Sequence, residues 1–129
     1  MFLIPAASQA SSVQCPNLQG KFFCKGVEGS HKDMIMTIKQ QLRPGYMYFA
    51  YTYAQVGQKP FTLEFKANDQ GIKNNPPNDD VGRCILGYYF NSKDGRLTEK
   101  SLLNYLNYKG DYVVRPYKSS EPFLVCPRQ

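Results

Sequence analysis

The chain has 129 residues, 42% of them apolar and 20% charged, which is ordinary for a globular protein and predicts one domain, since a single core organises roughly 100–200 residues. Its single histidine, His31, excludes most metal centres and most Ser-His-Asp or Cys-His catalytic arrangements. The net charge of +6 favours acidic partners without naming one.

The first ten residues carry no charge and begin strongly apolar. They end in Ser8-Gln9-Ala10, a small-x-small pattern of the kind that signal peptidase cleaves. A positively charged start is missing and the apolar run is short, so residues 1–10 are either a signal-peptide remnant or a disordered arm. Residues 11–129 are expected to form a single β domain. No stretch approaches the roughly 18–20 apolar residues of a membrane span, so none is expected.

The four cysteines indicate two structural disulfides in an exported protein. Their spacing contains no C-x-x-C pair, and one histidine cannot complete a Cys-rich centre, so neither a metal nor a cofactor is expected. Three connectivities are possible, and we prefer Cys15–Cys24 with Cys84–Cys126. Together with the N-terminal pattern, the cysteines predict a secreted or periplasmic protein.

After Ser12 the apolar residues recur mostly with a period of two, which is typical of half-buried strands. The Arg43-Pro44-Gly45 triplet and the segment 55–60 have the composition of turns. Strands are therefore predicted over residues 20–24, 34–39, 46–54 and 61–66.

Residues 67–81 are rich in asparagine, aspartate and proline and are predicted to be a long polar loop. Strand character resumes over residues 82–90, and a late strand is predicted over 123–126. Residues 97–108 are ambiguous. Thr98 could cap a helix that carries several leucines, or residues 101–107 could form a strand.

Short turns between consecutive strands favour pairing between sequence neighbours. We therefore expect an all-β fold in which an antiparallel meander closes into a small barrel. The segment near residues 98–109 is either one short helix or a further strand of that meander.

The Gly20-Lys21-Phe22 sequence opens the first predicted strand, and a late cysteine follows the meander. This pattern resembles the lipocalin-like (calycin) barrels, in which a Gly-x-Trp opens the first strand and the aromatic ring plugs the closed end; here Phe22 replaces the Trp. Residues 15–24 also resemble the start of small exported bacterial β proteins. The resemblance implies a closed barrel and supplies no catalytic residue.

Ten tyrosines and eight phenylalanines are the most unusual feature of the composition. Core packing explains most of them, but phenol rings can also stack on a ligand while their hydroxyls hydrogen-bond it. Such a ligand could be an apolar small molecule, a glycan or a peptide. Lysines and arginines are evenly spread, which argues against nucleic acid as the partner. The candidate ligand-binding residues are Tyr48, Tyr51, Tyr53, Phe61, Phe65 and Tyr88.

Catalytic residues are scarce. His31 lies in a polar turn, and the adjacent Asp79 and Asp80 point apart on an extended chain. We therefore expect a non-enzymatic, monomeric binding protein whose barrel holds a small apolar or extended ligand. The alternative is a protein-interaction module, an inhibitor or host-contact factor, that uses the loop 67–81. A hydrolase acting on an acidic polymer is a third hypothesis.

Overall fold

The computed structural model describes residues 13–26, 32–74 and 80–129. These residues form strands and no helix, which confirms the all-β prediction. Within the same ranges there is accordingly no helix with the length and apolarity needed to cross a membrane. The ten strands are β1 (Gly20–Cys24), β2 (Met34–Arg43), β3 (Tyr46–Gln55), β4 (Phe61–Ala67), β5 (Ile72–Lys73), β6 (Val81–Ile85), β7 (Tyr88–Ser92), β8 (Leu102–Leu106), β9 (Tyr112–Pro116) and β10 (Leu124–Cys126).

The strands make two antiparallel sheets. The first sheet has the order β1-β2-β3-β4, and the second has the order β10-β9-β8-β7-β6-β5. Within each sheet, every strand pairs with its neighbours in sequence, as the short connections predict, whereas the consecutive strands β4 and β5 lie in different sheets. In the first sheet, β2 and β3 pair along their full lengths, from Met34 opposite Gln55 to Arg43 opposite Tyr46.

One pair of sheet edges meets where β1 lies beside the C-terminal residues. Phe22 forms an isolated antiparallel bridge with Arg128, and the backbone N–H of Phe23 donates to the carbonyl of Pro127 at 2.8 Å. The Phe22 ring is fully buried, and the Arg128 guanidinium lies 5.1 Å from its centroid. A Cβ on Gly20 would come within 2.5 Å of Arg128 Nη1 and 2.9 Å of Phe22 Cζ, so a larger residue would require these side chains to shift.

The first sheet also approaches the second beside β4, where Asn68, the residue after β4, contacts β6. Asn68 forms a parallel bridge with Arg83, and its carbonyl accepts a 2.9 Å hydrogen bond from the N–H of Cys84. A Cβ on Gly82 would collide with the backbone carbonyl of Lys66. Gly82 is therefore the residue that lets these two backbones come together.

Aromatic rings from both sheets meet in the space between them. Phe49 of the first sheet stacks on Tyr89 of the second at 4.6 Å between ring centroids. Tyr112 of the second sheet contacts Tyr51 at 6.2 Å and Phe22 at 5.8 Å. All five side chains are buried, so the centre of the molecule is a packed aromatic core.

The disulfides connect Cys15 with Cys84 and Cys24 with Cys126. Two disulfides are confirmed, but the preferred pairing of Cys15 with Cys24 and of Cys84 with Cys126 is wrong. Cys24 ends β1 beside the last residue of β10, which brings their Cα atoms to 4.5 Å. Cys15 is held elsewhere because Gln40 accepts from the N–H of Leu18 at 2.7 Å and donates to the carbonyl of Pro16, which directs this segment towards β6.

Residues 82–90, predicted as one strand, are instead the two arms of a hairpin, β6 and β7. Leu86 and Gly87 form the connection, with φ values of 56° and 82°. Two successive positive φ angles are the geometry of a type I′ turn, whose twist matches the flanking strands. Leucine rarely adopts such a φ, so the composition gives no sign of this turn.

The ambiguous segment 98–109 contains β8, so the strand alternative is correct and the helix is absent. The side-chain amide of Asn104 donates to the carbonyl of Tyr89 at 2.9 Å, which attaches β8 to its neighbour β7. The predicted loop 67–81 is also not entirely a loop, because it contains β5. Its residue Asn74 is buried and accepts a 2.7 Å hydrogen bond from the N–H of Lys66.

Candidate functional site

Strand β3 divides its tyrosines between two faces of the first sheet. Tyr51 and Tyr53 point towards the second sheet, whereas Tyr46 and Tyr48 point away from it, because successive side chains of a strand alternate. Of the six candidate binding residues, the structure brings Tyr51, Tyr53, Phe61 and Phe65 together on the inner face and places Tyr48 and Tyr88 elsewhere.

The inner face continues onto β4. Phe61 pairs opposite Tyr53 and stacks on its ring at 5.2 Å, and Phe65 meets the ring of Tyr51 edge-on at 5.4 Å. Leu63 lies between the two phenylalanines on the same face. Phe61 is 51% exposed and Leu63 is 45% exposed, although both are large and apolar. We call Tyr53, Phe61, Leu63 and Phe65 the apolar strip.

The apolar strip lies along an edge of the first sheet. Within the ranges that the structure describes, β4 pairs with β3 on one side, and no strand pairs with its other side from Phe61 to Phe65. Contact with the second sheet begins only near the end of β4, where the N–H of Lys66 donates to Asn74. Backbone donors and acceptors along the first five residues of β4 thus lie beside exposed apolar side chains.

Behind the apolar strip lies a hydrogen-bonded polar cluster. The hydroxyls of Tyr51 and Tyr112 lie 3.4 Å apart, and the Tyr112 hydroxyl donates to the side-chain carbonyl of Asn104. Burial raises the pKa of the Tyr51 hydroxyl well above its ordinary value and also raises that of Tyr112. These phenols keep their protons at neutral pH, so they serve as hydrogen-bonding groups of the core.

Within the apolar strip, Tyr53 contacts both the buried core and the exposed end of the strip. Burial raises the pKa of its hydroxyl to about 12. Its ring contacts both Tyr51 and Phe61, at 6.2 and 5.2 Å between centroids. The apolar strip is therefore continuous with the buried aromatic rings through Tyr53.

Tyr88 lies on the far face of the second sheet. Its ring meets Tyr105 edge-on at 5.1 Å, and its hydroxyl accepts a 3.0 Å hydrogen bond from Arg115. The other terminal nitrogen of Arg115 donates to the carbonyl of Ser119 at 2.8 Å. This cluster fixes the turn that follows β9 and has no contact with the apolar strip.

Tyr48 lies on the outer face of the first sheet, away from the aromatic core. Its hydroxyl donates to Glu64, and this hydrogen bond raises the pKa of the phenol. The Arg43 guanidinium lies 4.4 Å from the centre of the ring. Tyr48 therefore belongs to a separate, charged surface.

Of the three residues considered for catalysis, the structure describes Asp80, within the ranges 13–26, 32–74 and 80–129. No group of three or more His, Cys, Asp or Glu there could hold a metal ion. His31 and Asp79 lie outside the described residues, as do residues 75–79 of the loop 67–81. Leu63 was not among the candidate residues, although the alternation of Phe61, Leu63 and Phe65 already placed it on the same face.

Comparisons with known proteins give no match: no family model, no curated protein and no solved structure matches this chain. The resemblance of Gly20-Lys21-Phe22 to lipocalin-like barrels therefore stays a sequence-based prediction. In the structure, the Phe22 ring is buried and the Arg128 guanidinium lies over it.

Proposed function

We propose that the protein is a non-enzymatic binding protein, secreted or periplasmic, that holds an extended ligand with apolar side chains along β4. Two disulfides in a small protein are consistent with an oxidising extracellular environment, because reducing compartments keep thiols free. The bound segment would add a strand to the first sheet, and its alternate side chains would cover the apolar strip.

The observation that carries the proposal is that exposed apolar side chains lie on a strand edge with which no strand among residues 13–26, 32–74 and 80–129 pairs from Phe61 to Phe65. Proteins normally protect such edges with charges, bulges or covering segments, because an open edge pairs readily with another chain. On β4, the inner side chains Phe61 and Leu63 are about half exposed. Extended peptides bind this kind of edge through main-chain hydrogen bonds and gain specificity from pockets for alternate side chains.

The filled interior favours an extended ligand at the edge of the sheet over a small molecule enclosed between the sheets. The rings of Phe49, Tyr51, Tyr89 and Tyr112 contact one another where an enclosed ligand would lie. We propose that the two sheets act as one flattened barrel, supported by the backbone contacts of β1 with the C-terminal residues and of β4 with β6. The ligand then occupies the rim of this barrel beside the apolar strip.

The test is a binding measurement with a fluorescein-labelled peptide of about eight residues in which valine and threonine alternate, close to the usual length of a strand. Its anisotropy is titrated with the native protein, with Phe61→Ala combined with Leu63→Ala, and with Thr62→Ala. Thr62 lies between the two apolar residues but points to the opposite face, so it is a matched control. We expect the dissociation constant to rise about ten-fold in the double variant and less than about two-fold in the control.

Two outcomes would contradict the proposal. Equal binding by the native protein and the double variant would show that the apolar strip does not hold the peptide. Binding of an all-threonine peptide as tightly as the alternating one would show that apolar side chains are not recognised.

A further inference from the structure

The outer face of the first sheet, opposite to the apolar strip, carries a second set of side chains. The register places Lys39 opposite Ala50, Gln41 opposite Tyr48, and Arg43 opposite Tyr46, all pointing away from the second sheet. Lys21 on β1 and Lys66 on β4 extend the set to both sides. We call Lys21, Lys39, Arg43, Tyr46, Tyr48 and Lys66 the basic tyrosine face.

This face is more basic than the chain as a whole. The complete sequence has sixteen lysines and arginines against ten acidic residues, whereas this face has four cations. Among the described strand residues that point to this side, Glu64 is the one side-chain carboxylate, and it accepts the hydrogen bond of Tyr48. The surface therefore carries a concentrated positive charge that complements an anionic partner.

Contacts within the face involve two of its four cations, Arg43 and Lys66. The Arg43 guanidinium lies over the Tyr48 ring at 4.4 Å and donates to the side-chain carbonyl of Gln41 at 3.1 Å. The Lys66 ammonium lies over the Tyr46 ring at 5.3 Å. Cations placed over aromatic rings lose less conformational freedom when they bind an anion than freely rotating side chains do.

The same face contains a surface depression that is bordered mainly by polar side chains. Its volume is about 480 Å³, and it is bordered by Gln19, Lys39, Gln40, Gln41 and Tyr48, with Ala50 between them. This volume lies within the range of about 300–1,000 Å³ that is typical of sites for small ligands. The side chain of Gln40 is held by Pro16 and Leu18, whereas Gln19 and Gln41 each accept one hydrogen bond through the side-chain oxygen and have an amide nitrogen that can donate to a sugar hydroxyl. Lys39 offers a positive charge.

We propose that the basic tyrosine face binds an acidic polysaccharide, one sugar residue of which occupies the depression beside Ala50. Carboxylate or sulfate groups along the glycan would contact Lys39, Arg43 and Lys66. The observations favour a glycan over a single-stranded nucleic acid because bases need exposed ring faces on which to stack. Here Arg43 and Lys66 each cover one face of a tyrosine ring.

The test measures binding of a heparin decasaccharide, a sulfated and uronate-containing glycan, by isothermal titration calorimetry in physiological salt. Three variants are compared with the native protein. Lys39→Gln with Arg43→Gln removes two charges from the face, whereas Lys93→Gln with Lys100→Gln removes two exposed charges from the turns between β7 and β8. Ala50→Phe fills the depression and leaves the charge unchanged. Thermal unfolding of each variant verifies that it is folded.

We expect the affinity for heparin to fall at least ten-fold in the Lys39/Arg43 variant and in Ala50→Phe, and less than two-fold in the Lys93/Lys100 variant. Equal losses in the two charge variants would overturn the proposal, because net charge alone would then explain binding. Unchanged binding by Ala50→Phe would overturn the assignment of the depression. Absence of heparin binding, or equally tight binding of poly-L-glutamate or oligo-dT, would overturn the choice of an acidic glycan.

Discussion

Removal of the disulfide between Cys24 and Cys126 tests the packing of β1 against β10. The bridge joins residues 102 positions apart, and the chain-entropy model assigns such a cross-link about 4.7 kcal/mol of stabilisation through the unfolded state at 25 °C. A domain of this size has a free energy of unfolding of about 5–15 kcal/mol. Cys24→Ala with Cys126→Ala should therefore remove a third or more of the stability of the protein.

The matched comparison is Cys15→Ala with Cys84→Ala. This bridge joins residues 69 positions apart, for which the same model gives about 4.4 kcal/mol. Cys24 and Cys126 are fully buried and Cys15 is partly exposed, so the first variant also loses more packing. We expect the Cys24/Cys126 variant to be the less stable of the two.

The assay is equilibrium unfolding in urea, followed by far-UV circular dichroism and by tyrosine fluorescence, since the chain contains no tryptophan. A loss of less than about 1 kcal/mol in the Cys24/Cys126 variant would show that this bridge does not stabilise the fold as the chain-entropy model predicts. A non-reducing peptide map of the native protein in which Cys15 is linked to Cys24 would contradict the pairing itself.

Three further predictions test the backbone and the core. Gly82→Ala should lower the free energy of unfolding by about 1–3 kcal/mol in urea titrations, because the added methyl group meets the carbonyl of Lys66; an unchanged stability would contradict the close contact of β4 and β6. Leu86→Asn should raise the free energy of unfolding by about 1 kcal/mol, because asparagine tolerates the positive φ before Gly87 and Leu86 is 72% exposed. A lower melting temperature of the variant would contradict this. Burial in the folded state raises the pKa of Tyr53 to about 12 from the ordinary 10. The protonated Tyr53 therefore makes its full contribution to the free energy of unfolding below pH 10, and this contribution is lost as the pH rises through 12. Tyr53→Phe should accordingly show a shallower loss of stability above pH 10 by circular dichroism, and an unchanged slope would contradict that assignment.

The starts of the strands of the first sheet could be predicted because their side chains alternate and their turns contain proline or glycine, whereas β2 extends to Arg43, four residues beyond its predicted end. The predicted start of β4 at Phe61 agrees with the structure, and its end differs by one residue. The same rule failed at Leu86, where a leucine occupies a turn position usually taken by asparagine or glycine. Without that signal, β6 and β7 had the pattern of one continuous strand.

The disulfide pairing could not be deduced because it depends on contacts between residues far apart in sequence. Cys15 reaches Cys84 through the hydrogen bonds that Gln40 makes to the segment before β1, and no local pattern indicates them. The grouping of the candidate binding residues also depends on contacts that are distant in sequence. Alternation separates Tyr48 from Tyr51, but the open edge of β4 becomes visible only when the partners of every strand are known.

The proposal that an extended ligand adds a strand to β4 is tested most directly by amide hydrogen exchange, residue by residue, with and without the alternating valine–threonine peptide. We expect alternate amides from Phe61 to Phe65 to exchange at least ten-fold more slowly when the peptide is bound, because those on the side of β4 away from β3 acquire hydrogen-bond partners. Amides in β9 should change little, since this strand lies between two partners in the second sheet. Unchanged amide exchange rates along β4 in the presence of saturating peptide would contradict the addition of a strand to β4.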